Sequence, residues 1–276
     1  MSSSPGDSEA SGAQPPSDAL ERLRTNENVD LAKVDLTFEG FRALAQNPHL
    51  TANERIGFPN SYRTGFEDAI FHDILSKLPV LTGEGATILD IGPGCAGLSH
   101  RIIELCRERK HHLILVDSEE MLAQLPDIPG VTTKIAGAFP QVAREVGLIR
   151  PSVDAILCYS VFHYVYVDGN PFDFLDRALD LVGSGGRLLI GDIPNVSKRR
   201  RFFATETGRR FHQDFTQTDT YPELHYNQPS PGKIDDAVLM GLMQRAQSAG
   251  ADAYLMPQAA GLPMANRRDD LLLMKA

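Results

Sequence analysis

The chain has 276 residues, 42% of them hydrophobic, enough for one large domain with additions or for two small ones. Its 27 Lys and Arg against 36 Asp and Glu give a net charge of −9, which disfavours a nucleic-acid partner, because phosphate backbones want a basic surface. Three cysteines (Cys95, Cys106 and Cys158) are too few and too scattered for a disulfide framework or a zinc site, so no metal is expected.

Residues 1–18 are rich in Ser, Pro, Gly and Ala, and such a composition predicts a disordered tail. They contain no basic segment followed by an apolar one, and no run in the chain approaches the ~20 apolar residues of a membrane span. A cytoplasmic protein with reduced thiols, acting on neither nucleic acid nor membrane, is the expectation, and a homodimer is allowed for. Residues 19–60 are expected to form a helical extension, with helix-like apolar spacing over Ala19 to Thr25 and Phe38 to Gln46. The stretch from Tyr62 to Leu78 is a clearer amphipathic helix, with Phe66, Ile70, Phe71, Ile74, Leu75 and Leu78 on one face and Pro79 as its stop.

From there apolar runs of strand length alternate with helical stretches. The runs are Thr87–Ile91, Leu113–Val116, Thr132–Ile135, Ala155–Tyr159 and Arg187–Ile190; the helices include Ser99–Arg109, Ser118–Leu125 and Phe172–Leu181. This alternation predicts an α/β fold, a parallel sheet covered by helices on both faces. Residues 195–235 break the pattern. They are polar, aromatic and basic, and read as an insertion of two short helices and a loop. A helix at Asp236–Ala249 follows, and Ala253–Pro257 and Asp270–Met274 close the chain as an antiparallel pair. Residues 61–276 thus form the main domain.

The first strand runs into Asp90-Ile91-Gly92-Pro93-Gly94. Glycines at 92 and 94 leave bare main chain for a ligand to approach, and the next helix starts just beyond. About 20 residues on, the second strand ends in Asp117, where a carboxylate can accept from both hydroxyls of a ribose. Dinucleotides and S-adenosylmethionine both fit this geometry. Asp90 favours the second, because an acid there can hold the ammonium of an amino-acid moiety.

At these residues the chain resembles class I S-adenosylmethionine-dependent methyltransferases. The likeness is carried by Leu89 to Gly94, Asp117, the stretch from Asp154 to His163, the stretch from Leu181 to Asp192, and Asp270 to Lys275, over roughly residues 60–194 and 236–276. It also resembles, more weakly, the small-molecule branch found in bacterial polysaccharide and secondary-metabolite pathways. The resemblance implies a Rossmann-like seven-stranded sheet with its last strand antiparallel, and S-adenosylmethionine bound along the first four strands. Methyl transfer to an oxygen, or second to a nitrogen, of a small polar acceptor is the expected activity. One departure stands out: the family's acid after the third strand is missing from Ala136-Gly137-Ala138-Phe139. The adenine is then left to backbone groups near Ala138 and to Phe139.

Several residues carry two readings. Asp117 is a ribose ligand or a helix N-cap before Ser118. Met121 flanks the adenine or is simple core. Tyr62 and Arg63 cover the methionine end, the ring facing the sulfonium and the guanidinium its carboxylate, or they are ordinary surface residues. Ser118, just after the second strand, and Tyr159, at the end of the fourth, are also assigned to the cofactor. His163, in the loop after that strand, is the leading candidate for a base, because imidazole titrates near neutral pH. Asp192 is placed to orient it or the substrate, and His212 is a further catalytic candidate. Arg199, Arg200 and Arg201, with His225, are assigned to an anionic acceptor such as a sugar phosphate; the alternative is a solvated helix face. A nicotinamide-dependent oxidoreductase and a non-catalytic methyltransferase-fold partner are the competing functions.

Overall fold

A computed structural model describes residues 17–31, 37–226, 228 and 230–276. Most of the expected N-terminal tail lies outside the described residues. The chain then forms α1 (Ser17–Thr25), α2 (Phe38–Gln46), α3 (Ala52–Arg55), α4 (Asn60–Arg63) and α5 (Glu67–Lys77). Local chemistry sets these boundaries. Thr37 caps α2 by accepting from the Gly40 N–H, and Thr51 with Glu54 makes a reciprocal capping box on α3. The single helix expected from Tyr62 to Leu78 is two helices. Gly65 adopts φ +85°, which interrupts the helical path between Arg63 and Glu67 and turns Arg63 inward.

The alternating half contains β1 (Thr87–Ile91), α6 (Gly97–Glu108), β2 (His112–Asp117), α7 (Glu119–Leu122), β3 (Thr132–Ala136), α8 (Ala143–Ile149) and β4 (Val153–Tyr159). It continues through α9 (Phe162–Asp168), α10 (Pro171–Leu181) and β5 (Val182–Pro194). The insertion supplies α11 (Val196–Ala204) and α12 (Glu206–Thr216), followed by a loop, and α13 (Asp236–Ser248), β6 (Ala251–Pro257) and β7 (Arg268–Lys275) complete the chain. The strands form one seven-stranded sheet in the order β3-β2-β1-β4-β5-β7-β6. β7 runs antiparallel to both β5 and β6, and the β3-to-β5 set is parallel.

Alternation along each strand divides the core between the two faces. Leu89, Ile114, Ile156 and Leu188 pack with α10 and α13 on one side; Ile88, Leu113, Leu157 and Leu189 pack with α5 and α6 on the other. Because both faces are covered, β1, β2 and β4 are nearly continuous apolar runs. β1 neighbours both β2 and β4, so the order reverses there and opens a crevice beyond the carboxyl ends of the strands.

Three local differences bear on the site. The helix expected at Ser118–Leu125 is only the single turn of α7. β5 runs on to Pro194 and carries an irregularity between Ile190 and Ile193, where Asp192 adopts φ 60°. The segment after β4 is helical rather than a loop, although Val161, Tyr164, Val165, Tyr166 and Val167 have strand-type propensity. Packing of Phe162 against Phe174 of α10 (ring centroids 5.4 Å apart) overrides that local preference.

Candidate active site

A cavity of about 470 Å³ lies beyond the carboxyl ends of β1, β2 and β4. Its floor is the loop after β1. Gly92 and Gly94 hold φ +69° and +65°, a region that side chains resist, and the space beside each is already filled. A Cβ at Gly92 would stand 2.5 Å from Val161, and one at Gly94 would stand 2.6 Å from Ile56. Main chain therefore forms this wall.

Asp117 ends β2 at the same wall. Its Oδ2 accepts from the Gly94 N–H (2.9 Å) and its Oδ1 from the Ser118 N–H (2.7 Å). Burial lifts its pKa to about 6, against the lowering effect of those two N–H groups. The helix cap is Ser118, whose Oγ accepts from the Met121 N–H, so Asp117 itself faces the cavity. Ser118 is buried and does not reach the wall, whereas Met121 is both core and wall. Ala138, Phe139 and Tyr159 line the cavity too. Asp90 does not line it. This carboxyl is buried, makes no hydrogen bond or ion pair among the described residues, and is pushed up to about 8 by burial and by the Asp117 charge.

Arg63 enters the cavity as a buried cation. It lies over the Phe58 ring at 4.1 Å, donates to Ser160 Oγ (2.6 Å) and sits 3.5 Å from Asp192 Oδ2. Asp192 also accepts from Ser160 Oγ (2.5 Å), from Gln258 Nε2 (3.2 Å) and from Arg268 Nη1 (3.1 Å), while its own N–H donates to Asp270 (2.8 Å). This web explains how the left-handed conformation at Asp192 is held. The aspartate orients arginines, not a histidine. Tyr62 faces a separate small recess beside Leu262 and Met264.

The proposed base and the proposed acceptor residues are elsewhere. His163 is the second residue of α9, its ring against Tyr164 at 3.9 Å, and its Nδ1 is buried with no hydrogen-bond partner. Burial, then the nearby Arg268, drives its pKa down to about 3, too low for a useful base at neutral pH, and it does not line the cavity. His212 of α12 packs near Phe203 of α11, and His225 is exposed 3.6 Å from Glu223. Arg199 lies over Phe203, Arg200 donates to Ser230, and Arg201 pairs with Asp236 at the start of α13. None of these residues reaches the cavity wall.

Residues that the sequence left unassigned form the rest of the wall. Phe38, Phe41, Asn53, Ile56 and Phe58 come from the N-terminal extension, which closes over the glycine loop. Arg42 clamps it to α7 through both oxygens of Glu120, and Arg55 reaches Gln124 at 2.6 Å. Tyr164, Asp168 and Asn170 come from α9 and the turn after it.

The chain matches no family model and no curated protein. Solved structures do align with it. The methyltransferase domain of bacterial CtHen1-C is 12% identical, with 77% of this chain and 100% of that chain covered, at a TM-score of 0.50. The plantazolicin methyltransferase BpumL, in complex with a triazolic desmethylPZN analog and SAH, is 14% identical over 86% of this chain and 96% of that one, at a TM-score of 0.54. BamL, the plantazolicin methyltransferase crystallised with the same analog and SAH, is 13% identical over the same shares, at 0.52. Identities this low establish architecture, and the strand order with its reversed seventh strand agrees: the chain has the Rossmann-like fold of class I methyltransferases.

Proposed function

We propose that the protein is an S-adenosylmethionine-dependent methyltransferase acting on an oxygen, or second on a nitrogen, of a small acceptor. The observation that carries this reading is the wall shared by Gly92, Gly94 and Asp117: bare main chain at left-handed glycines, with a carboxylate bound to the Gly94 N–H. An adenosyl amino acid fits it in three places. Asp117 is the acceptor for a ribose diol, Met121 and Phe139 offer apolar contact to a base, and Arg63 is the cation for a carboxylate. When bound, such a cofactor supplies a methyl group on a positive sulfonium. The residues here contribute by holding the partners in line and excluding water, which in favourable cases lowers a barrier by ~7–11 kcal/mol.

Phosphorylated or carboxylated acceptors gain no support from the basic insertion, since Arg200 and Arg201 are engaged away from the cavity. Calorimetry with S-adenosylhomocysteine tests the reading. Binding is expected with the natural chain, and Asp117→Ala should weaken it by about 10–100-fold, the loss of charge-assisted hydrogen bonds. No heat with S-adenosylhomocysteine, or tight binding of a nicotinamide dinucleotide instead, would refute it.

A further inference from the structure

The acceptor can be narrowed by the part of the cavity that the glycine loop and Asp117 do not form; this step rests on the methyl-transfer reading above. That part is aromatic. Phe38 and Phe41 of α2, Phe58 from the turn between α3 and α4, and Tyr164 of α9 all line it. Phe41 and Tyr164 meet edge to face with ring centroids 4.8 Å apart, so an N-terminal helix and the helix after β4 join in one roof. Rings arranged this way favour a flat apolar guest.

Charge narrows the choice. Glu67, Asp168 and Asp173 line the cavity together with Asp117. Among the described residues the one cation at the wall is Arg63, already engaged by Ser160 and Asp192. A phosphate or carboxylate on the acceptor would meet like charge. Proton chemistry narrows it again. Among the described residues no imidazole, amine or thiol lines the cavity, so the bases at its wall are carboxylates, which take a proton from an alkyl hydroxyl poorly. A ring hydroxyl, with a pKa near ~10, needs far less help.

We propose that the acceptor is a planar, uncharged aromatic compound with a weakly acidic ring hydroxyl, held beneath the α2–α9 roof. Its ring oxygen forms the bond to the methyl carbon as the carbon–sulfur bond breaks. The electron pair of that bond stays on sulfur, and the hydroxyl proton passes to solvent.

The test is calorimetry on the full chain saturated with S-adenosylhomocysteine, using 1-naphthol as probe and cyclohexanol and glucose 6-phosphate as comparators. 1-Naphthol is expected to bind and the comparators are not; with S-adenosylmethionine, 1-naphthol should give its methyl ether. Tyr164→Leu and Phe38→Leu keep apolar bulk but remove a ring. Each should weaken 1-naphthol binding by about tenfold while leaving S-adenosylhomocysteine affinity within about threefold. A thermal melt identifies a variant that misfolds, and the other then decides. The proposal is overturned if S-adenosylhomocysteine binds but 1-naphthol does not, if either comparator binds as tightly, or if the folded leucine variant binds 1-naphthol unchanged. Failure of S-adenosylhomocysteine to bind the natural chain overturns the cofactor reading itself.

Discussion

Two helical additions flank the sheet, the N-terminal cover and the α11–α12 insertion, and they use similar residues in opposite ways. In the cover, charged groups fasten the edge: Arg42 holds Glu120 and Arg55 holds Gln124, leaving Phe38 and Phe41 at the cavity. In the insertion, Lys198 pairs with Asp269 of β7 and Arg201 with Asp236 of α13, while Phe202, Phe203 and Phe211 pack on one another. Its arginines and rings already have partners within the protein. A basic run thus says little about a ligand until its ion pairs are known.

The sharpest break between the two regions is in stability. Phe41→Ala should cost about 2 kcal/mol, less than the ~3–5 of a fully buried phenylalanine because Phe41 is half-buried. Phe215→Ala on α12, where the ring is 66% exposed, should stay within about 0.5 kcal/mol. Denaturant melts compare them; equal losses would erase the distinction.

Beneath the cover, Asp90 and Asp117 should give the protein a falling pH profile. Their carboxyls are raised to about 8 and about 6, chiefly by burial, so the native state holds protons that the unfolded chain has released. Stability should therefore fall as pH rises from about 4 to about 8, and Asp90→Asn should remove the upper part of that fall. Melts at stepped pH check this. A flat wild-type profile between about pH 6 and pH 8 would contradict the burial of Asp90. The smallest effect is expected in the insertion: replacing Arg199, Arg200 and Arg201 together by Gln should leave acceptor KM and cofactor affinity unchanged. A raised acceptor KM in steady-state assays would return the basic run to the site.

The sheet was legible because burial on both faces writes strands as short apolar runs, and the β1 loop was legible because left-handed turns at Gly92 and Gly94 demand glycine. Asp117 could be located because a strand end fixes where its side chain points. The cover was not legible as part of the site, since Phe38 and Phe41 carry the same helical spacing whether they pack on core or on a cavity. His163 misled because its residue type suggests a base, while its orientation depends on α9, a helix formed against local propensity by contacts with α10. Asp192 was expected to orient the histidine or the substrate, but it does not line the cavity, and its partners lie in β7, in the segment before it and in α4, far off in sequence.

The most direct measurement is hydrogen–deuterium exchange with and without S-adenosylhomocysteine. Protection is expected over the cover from Asn53 to Phe58, in the β1 loop and around Asp117, with residues 196–216 unchanged. Protection confined to residues 196–216, or none in the β1 loop, would contradict a cofactor site beneath the N-terminal cover.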